Sequence, residues 1–291
     1  MKDIAPKYIN VNGDLMDLSE PQVMGILNVT PDSFFATSRK QTESAIRSRA
    51  QQILAEGGTI IDIGAYSSRP DAKHITPQEE MERLRFGLQI INETIDKPII
   101  SVDTFRADVA RMCVEEFGVA MINDIAAGEM DSKMFATVAE LNVPYIMMHM
   151  QGTPQTMQKN PHYDNLLKEM IEYFARKVGE LQQLGVKDII LDPGFGFGKT
   201  VTHNYELLAG LGEFQLFELP ILIGVSRKSM IYKLLGTSAE EALNGTSVIH
   251  ALSLERGANI LRVHDVKEAV EVIRIVNKMK ESDSLHTSCR S

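Results

Sequence analysis

The sequence has few cysteines and no tryptophan. The shortage of cysteine excludes a small protein held together by disulfides and a protein with a cysteine-based metal site. Of 291 residues only two are cysteine. Cys113 lies in a helical pattern and Cys289 in a polar tail, so they form neither a disulfide framework nor a metal-ligand motif. No apolar run resembles a signal peptide or approaches transmembrane length. The sequence therefore predicts a cytoplasmic protein with no membrane partner.

Positive charge is also in short supply. Thirty Lys and Arg residues face 39 Asp and Glu residues, which gives a formal net charge of -9. Because proteins that bind nucleic acids neutralise phosphates with clustered Lys and Arg, a nucleic-acid partner is excluded. Any phosphate that this protein binds is expected to be small and held by a local cluster.

The apolar residues form a regular alternation of short runs and longer amphipathic segments. A hairpin is predicted at residues 8–18, with Asn12 and Gly13 at its turn. Eight strand-like runs and intervening helical stretches then favour a single (β/α)8 TIM barrel over the alternative, an open doubly wound sheet. We expect the hairpin (1–20) to close the barrel (21–280), and a disordered tail to follow (281–291).

The segment DPGFGFGKT (192–200) resembles a phosphate-binding loop but has the wrong spacing. Pro193 stands where the Walker pattern needs glycine, and the third glycine comes one residue early for a dinucleotide motif. We interpret the glycines as letting the backbone pass close to a flat ligand, whose face Phe197 covers. We assign no role to Lys199 from the sequence.

Polar residues stand at the ends of most predicted strands. Asp103, Asn123 and Asp192 could each be a cap or turn residue alone, but their joint placement indicates one mouth of a barrel. Few cations stand at those strand ends, so the donors for these carboxylates and this amide are expected on a ligand. A heterocycle with two parallel N–H groups fits such a site.

A second cluster belongs to the first and last strands, which are neighbours in a closed barrel. Asn28, Arg262 and His264 combine a neutral oxygen ligand with two possible cations. The alternative is that Arg262 and His264 pair with acidic neighbours. The combination predicts an anion site with a hard metal ion, Mg2+, that keeps several waters. Lys228 and Ser229 are predicted to begin the helix after strand seven.

Seven segments together resemble the dihydropteroate synthase family, in the family's order. They are GILNVTPDSF (25–34), SVDT (101–104), INDI (122–125), MHMQGTP (148–154), DPGFGFGK (192–199), SRKS (226–229) and RVHDV (262–266). The resemblance implies a (β/α)8 homodimer that joins 6-hydroxymethyl-7,8-dihydropterin diphosphate to 4-aminobenzoate. Diphosphate leaves by an SN1-like route assisted by Mg2+, and 7,8-dihydropteroate is formed.

The resemblance also implies roles for individual residues. The pterin would be held by Asp103, Asn123, Asp192 and Lys228, in a pocket lined by Met148, Gly224 and Phe197. Arg262 would lie against the pterin ring and, with His264 and Asn28, hold the diphosphate, while Asn28 would also bind Mg2+. Ser68 would contact the diphosphate, and Arg69 is a further substrate-binding residue that the family retains. The aminobenzoate would meet Ser229, with Phe34, Pro70 and Phe197 around its ring.

Two loops depart from the family pattern. AYSSRPDA (65–72) stands where the family has ESTRPG, so that Tyr66 replaces an acidic residue, and DSFFATSRKQ (32–41) lacks the usual glycines. Two further interpretations remain: a methyltetrahydrofolate methyltransferase type of barrel, which need not have the anion sites, and a non-catalytic pterin-binding protein. A generic phosphate-binding barrel would not explain the two aspartates and the asparagine.

Overall fold

The N-terminal hairpin is present as predicted. In this computed structural model, which describes residues 7–29, 39–67 and 74–288, strand β1 (Tyr8–Val11) pairs antiparallel with β2 (Asp14–Asp17). Asn12 and Gly13 have φ angles of 54° and 96°. Two consecutive positive φ values are what a two-residue hairpin turn requires, and Asn-Gly adopts them at low cost.

Eight parallel strands form the barrel. They are β3 (Gln22–Asn28), β4 (Ile60–Gly64), β5 (Ile100–Asp103), β6 (Met121–Asp124), β7 (Tyr145–Met148), β8 (Ile189–Asp192), β9 (Leu222–Ile223) and β10 (Ile260–Val263). The sheet runs β8-β7-β6-β5-β4-β3-β10-β9, and a parallel bridge between Leu191 and Ile221 joins its two ends. This closure confirms the (β/α)8 barrel and excludes the open sheet.

Helices surround the strands, and capping residues mark the start of one helix and the end of another. They are α1 (Arg39–Ala55), α2 (Pro77–Thr94), α3 (Ala107–Phe117), α4 (Met134–Leu141), α5 (Leu166–Gln183), α6 (Val201–Ala209), α7 (Ser229–Leu235), α8 (Leu243–Glu255) and α9 (Val266–Ser288), with a 3-10 segment at Leu211–Phe217. Thr76 and Glu79 form a capping box at the start of α2. Helix α3 ends at Gly118, whose φ of 65° favours glycine.

The two faces of each strand pack into different layers. Ile61 and Ile63 lie in the large cluster between strands and helices, whereas Ile60 belongs to a second cluster inside the barrel. That inner cluster includes Ile9 and Val11 of the hairpin. The hairpin therefore closes the amino-terminal end of the barrel with apolar side chains, and the polar inner residues lie at the carboxyl end.

The C-terminal segment differs from the sequence-based expectation. Helix α9 continues to Ser288, so the backbone is helical through most of the segment 281–291, for which a disordered tail is predicted. In the described ranges, no helix combines the length and apolar character needed to cross a membrane.

Candidate active site

The three predicted acceptors lie inside the barrel at its carboxyl end. Asp103, Asn123 and Asp192 lie at the ends of strands β5, β6 and β8. Strand residues alternate between faces, so the residues before them face the helices and these three face inward. Asn123 and Asp192 are buried, and Asp103 is 20% exposed at the mouth. Residues distant in the chain thus converge at one end, as expected.

Arg262 of β10 lies among these acceptors. Its Nε donates to Asp62 Oδ2 at 2.6 Å, and its Nη2 donates to Asp103 Oδ2 at 2.6 Å. Asp103 therefore already has one donor within the protein, Arg262, so a ligand is not its only source of hydrogen bonds. The alternative of acidic partners for Arg262 is correct, and Arg262 joins the two clusters that the sequence separates.

Asp62 of β4 is a site residue that sequence reasoning missed. Its side chain is fully buried inside the barrel. Besides Arg262, it accepts from Asn123 Nδ2, at 3.4 Å to Oδ1 and 3.3 Å to Oδ2. The available signal is an acidic residue in the middle of an apolar strand, TIIDIG, where neither a cap nor a turn accounts for it.

The cluster is electrostatically strained. Burial raises the pKa of Asp103 to about 7, with Arg262 opposing and Asp62 adding to the increase. Burial lowers the pKa of Arg262, but the carboxylates of Asp62 and Asp103 more than reverse this and raise it above the ordinary value. Two carboxylates and one guanidinium leave a net negative charge when both acids are ionised. Such a site favours ligands that bring N–H donors.

Lys228, Asp192 and Phe197 form the opposite wall of the mouth. Lys228 Nζ donates to the Phe195 carbonyl at 2.6 Å and lies 4.6 Å from the centroid of the Phe197 ring. Burial lowers the pKa of Lys228 to about 8, with Asp192 opposing, and burial raises the pKa of Asp192, with Lys228 opposing. Met148, at the end of β7, belongs to the apolar cluster against which Phe197 packs.

The glycines after β8 are required by a close approach to another loop of the protein, which the sequence does not predict. A Cβ on Gly194 would lie 2.0 Å from the His149 carbonyl oxygen, and one on Gly198 would lie 2.7 Å from that of Gln151. The backbone therefore passes close to the loop after β7. Two of these glycines also lie next to predicted site side chains: a Cβ on Gly196 would lie 3.3 Å from Lys228 Cδ, and one on Gly194 would lie 3.1 Å from Met148 Cγ.

Lys199, to which the sequence assigns no role, ties these loops together. Its buried Nζ lies 3.0 Å from His149 Nδ1, 3.0 Å from the Gly194 carbonyl oxygen and 3.1 Å from that of Phe197. Burial lowers the pKa of Lys199 to about 7, with Asp192 opposing. The contacts fix the loop that carries Phe197.

The predicted anion corner lies on adjacent strands. Asn28 ends β3, its side chain is exposed, and β3 pairs with β10, after which His264 follows. His264 Nδ1 lies 3.2 Å from Ser226 Oγ. Ser229 is the first residue of α7, as expected.

Gly224 lies between two of the cations of the site. A Cβ placed on it would be 3.9 Å from Lys228 Nζ and 4.0 Å from Arg262 Cβ. These distances are ordinary contacts, so an alanine would fill space beside both cations without a clash.

Four predicted residues, Phe34, Ser68, Arg69 and Pro70, lie outside the described residues. Tyr66, which departs from the family pattern, is described. Its ring packs edge-on against Phe105, and its hydroxyl lies 3.1 Å from His74 Nδ1.

The chain offers one predicted metal ligand in this region, the amide oxygen of Asn28. Among the described residues no group of three or more His, Cys, Asp or Glu side chains could hold a metal ion. Mg2+ commonly keeps several waters and takes one or two protein oxygens together with substrate phosphates. An exposed asparagine beside His264, whose pKa burial and Arg262 lower to about 4, fits that mode and not an all-protein cage.

Comparison with known proteins agrees with this geometry. The profile of the pterin binding enzyme family matches residues 24–264. The chain is 42% identical over 266 residues to dihydropteroate synthase of Escherichia coli (strain K12), and the match covers 91% of this chain and 93% of that protein.

Two solved structures have similar folds. One is Yersinia pestis dihydropteroate synthase with a sulfonamide drug, with a TM-score of 0.86 and 39% identity, covering 94% of this chain and 99% of that one. The other is Xanthomonas albilineans dihydropteroate synthase with 4-aminobenzoic acid, also with a TM-score of 0.86, at 33% identity, covering 95% of this chain and 99% of that one.

Proposed function

This chain belongs to the pterin-binding enzymes and, within them, to the dihydropteroate synthases, and we propose that it joins 6-hydroxymethyl-7,8-dihydropterin diphosphate to 4-aminobenzoate. The products are 7,8-dihydropteroate and diphosphate. The observation that carries the proposal is the convergence of Asp103, Asn123 and Asp192 with Arg262 and Lys228 at one end of the barrel. Hydrogen-bond acceptors that suit a heterocycle therefore lie next to cationic side chains that suit the anionic part of the same substrate.

The buried acceptors are suited to hydrogen bonds with the edge of the pterin ring. Its ring N–H and amino groups would donate to Asp192, Asn123 and Asp103, and Lys228 would donate to a ring acceptor. Met148, Phe197 and Gly224 would line the two faces and the rim. An N–H pair placed on a carboxylate makes charge-assisted hydrogen bonds, which repay the desolvation of the buried acid.

The chemistry requires a leaving group to depart before or as an amine attacks. The C–O bond to diphosphate breaks and its electron pair stays on the leaving oxygen, while positive character on the pterin methylene is shared with the electron-rich ring. Arg262 would lie against the ring and, with His264 and Asn28, hold the diphosphate. The arylamine then forms the C–N bond and loses a proton, and because it is neutral at pH 7 no strong general base is needed.

Mg2+ bound at Asn28 and the diphosphate would supply charge neutralisation to the leaving group. The chain's own contribution is the amide oxygen of Asn28 and the imidazole of His264, which follows the adjacent strand β10. Phe34, Ser68, Arg69, Pro70 and Ser229 keep the roles predicted from the resemblance, with the aminobenzoate at Ser229.

The alternatives are distinguished by the anion corner. A methyltetrahydrofolate methyltransferase type of barrel needs the pterin acceptors but no diphosphate site. A non-catalytic pterin-binding protein needs neither His264 nor Asn28. The presence of both beside Arg262 favours the transferase.

The test is the transfer itself. Purified protein with Mg2+, the pterin diphosphate and 4-aminobenzoate should release diphosphate and form 7,8-dihydropteroate in equal amounts, and Asp192→Ala should abolish both. A sulfonamide should compete with the aminobenzoate and leave kcat unchanged, since such a drug is bound in the Y. pestis structure. Protein that binds the pterin but releases no diphosphate would contradict the assignment and favour the non-catalytic alternative.

We also propose that the chain forms a homodimer through helices α7, α8 and α9. Six large apolar side chains on these adjacent helices are exposed: Leu234, Leu235, Val248, Leu252, Ile275 and Met279. A second copy would cover this face, because exposed apolar side chains grouped on neighbouring helices are typical of subunit interfaces. The cytoplasmic location stays a prediction.

Sedimentation velocity tests the dimer. Val248→Glu, at a position 52% exposed, should give a monomer because it buries a charge in the interface. Leu15→Glu is the matched control, since Leu15 is 72% exposed on the hairpin at the other end of the barrel. A wild-type monomer, or equal effects of the two substitutions, would contradict this interface.

A further inference from the structure

Asp62 contacts two residues that the proposed function assigns to the substrate. It is fully buried on β4, receives Nε of Arg262 at 2.6 Å and receives the amide of Asn123 at 3.3 and 3.4 Å. Neither partner is near in the chain: they are 200 and 61 residues away. A buried carboxylate therefore links strands β4, β6 and β10 below the mouth of the barrel.

The contact with Asn123 fixes which end of its amide faces the substrate. The Asn123 group facing Asp62 is the NH2, because Nδ2 donates to both carboxylate oxygens. The amide oxygen is then turned away from Asp62 and is available as an acceptor. With a flipped amide, oxygen would face oxygen and the NH2 group would meet the N–H groups of the pterin.

The contact with Arg262 fixes the guanidinium in a similar way. Because Nε is bound by Asp62 and Nη2 by Asp103, the guanidinium plane is held at two points. A guanidinium has five N–H groups in a rigid fork, so two held groups orient the others. A Lys at this position would be held at a single nitrogen and would lose that orientation.

From this geometry we propose that Asp62 is a positioning residue for pterin binding: it orients the Asn123 amide oxygen and the Arg262 guanidinium toward the substrate without touching it. The proposal rests on the proposed function, because it takes the pterin as the ligand of Asn123. Residues that orient metal ligands through hydrogen bonds commonly change affinity about 10- to 100-fold when they are replaced, and we expect an effect of similar size for a residue that orients pterin-binding groups.

The matched control is Asp124, the residue after Asn123. It is equally buried but faces the helices, where Oδ2 accepts from the Tyr145 hydroxyl at 2.6 Å and Oδ1 from the Ala126 N–H at 2.7 Å. Asp62→Asn and Asp124→Asn both remove a buried carboxylate with hydrogen bonds. A general loss of structure would therefore affect the two variants alike.

Isothermal titration calorimetry with 6-hydroxymethyl-7,8-dihydropterin, which lacks the diphosphate, distinguishes the roles. Asp62→Asn should bind this pterin at least about tenfold more weakly than wild type, while Asp124→Asn binds it within about twofold. In Asn123→Ala the further effect of Asp62→Asn should shrink, because one of the oriented groups is gone. Equal affinities for wild type and Asp62→Asn would overturn the proposal.

A structure of wild-type protein with the same pterin decides the point even if Asp62→Asn does not fold. The expected complex keeps Asn123 Nδ2 and Arg262 Nε on Asp62, with Asn123 Oδ1 on a pterin N–H. A pterin that contacts Asp62 directly, or an Asn123 amide that turns its NH2 to the ligand, would overturn it. Failure of the transfer assay would refute the proposed function alone, because these binding measurements need no turnover.

Discussion

Asp103→Asn should stabilise the folded protein at neutral pH and weaken pterin binding. Wild-type Asp103 shares Arg262 with Asp62, and burial together with Asp62 raises its pKa from 3.8 to about 7. A carboxyl group whose pKa is higher in the folded state favours unfolding once it is ionised. Asparagine has nearly the same shape and no charge to desolvate.

The size of the effect follows from the pKa. An increase from 3.8 to about 7 corresponds to about 4 kcal/mol, at about 1.4 kcal/mol per pH unit. The pKa of about 7 already includes the attraction of Arg262 for the ionised carboxylate, so that attraction is not subtracted a second time. We therefore expect Asp103→Asn to exceed wild type by up to about 4 kcal/mol in the free energy of unfolding above pH 7.

The pH dependence gives the sharper test. Below pH 4 the wild-type carboxyl group is protonated in both states and carries no penalty. The penalty grows as pH rises from about 4, the unfolded pKa, to about 7, the folded pKa, and is complete above it. The advantage of the variant in urea unfolding should therefore increase from pH 4 to pH 7 and then stay constant.

Asp103→Asn should also weaken pterin binding. The amide introduced by Asp103→Asn cannot present a carboxylate to the ligand, so calorimetry at pH 8 should show binding at least about tenfold weaker than in wild type. Greater stability with weaker binding is typical of substitutions that relieve an electrostatically strained site. A variant that is less stable than wild type at pH 8, or an advantage that does not change between pH 4 and 7, would refute the reasoning.

Two further predictions concern the same mouth. The value of kcat/KM for the pterin diphosphate should fall below pH about 7, as Asp103 is protonated, and above pH about 8, as Lys228 loses its proton. Lys228→Arg should remove the alkaline limb alone, whereas a profile that is flat from pH about 6 to 9 would contradict both assignments. Gly194→Ala should reduce pterin affinity and thermal stability together, because its Cβ would lie 2.0 Å from the His149 carbonyl oxygen at a φ of 69°. An active, fully stable Gly194→Ala protein would show that this close approach is not required.

The fold and much of the site can be predicted because they depend on local patterns. A continuous apolar run that ends on a polar residue can be recognised in the sequence for each strand separately. Closure of the barrel then brings the polar residues at the strand ends together. This pattern identifies Asp103, Asn123 and Asp192. The hairpin is readable from its Asn-Gly turn.

Interactions between distant segments cannot be predicted in the same way. Asp62 lies inside a strand rather than at its end, and its partner Arg262 is 200 residues away, so no spacing connects them. The glycines of the segment after β8 indicate a close approach, but only the fold shows that the loop after β7 is the neighbour. Lys199 resembles a solvated lysine in the sequence because its acceptors are mostly backbone carbonyls.

The central claim is that acidic and amide groups hold the base while cationic groups hold its tail at the same end of the barrel. Calorimetric titration of 6-hydroxymethyl-7,8-dihydropterin and of inorganic diphosphate with Mg2+ tests it most directly. Wild type should bind both ligands at once. Asp192→Ala should weaken only the pterin by about tenfold or more, and His264→Ala only the diphosphate. If the two ligands excluded each other, or if Asp192→Ala weakened both equally, the claim would be contradicted.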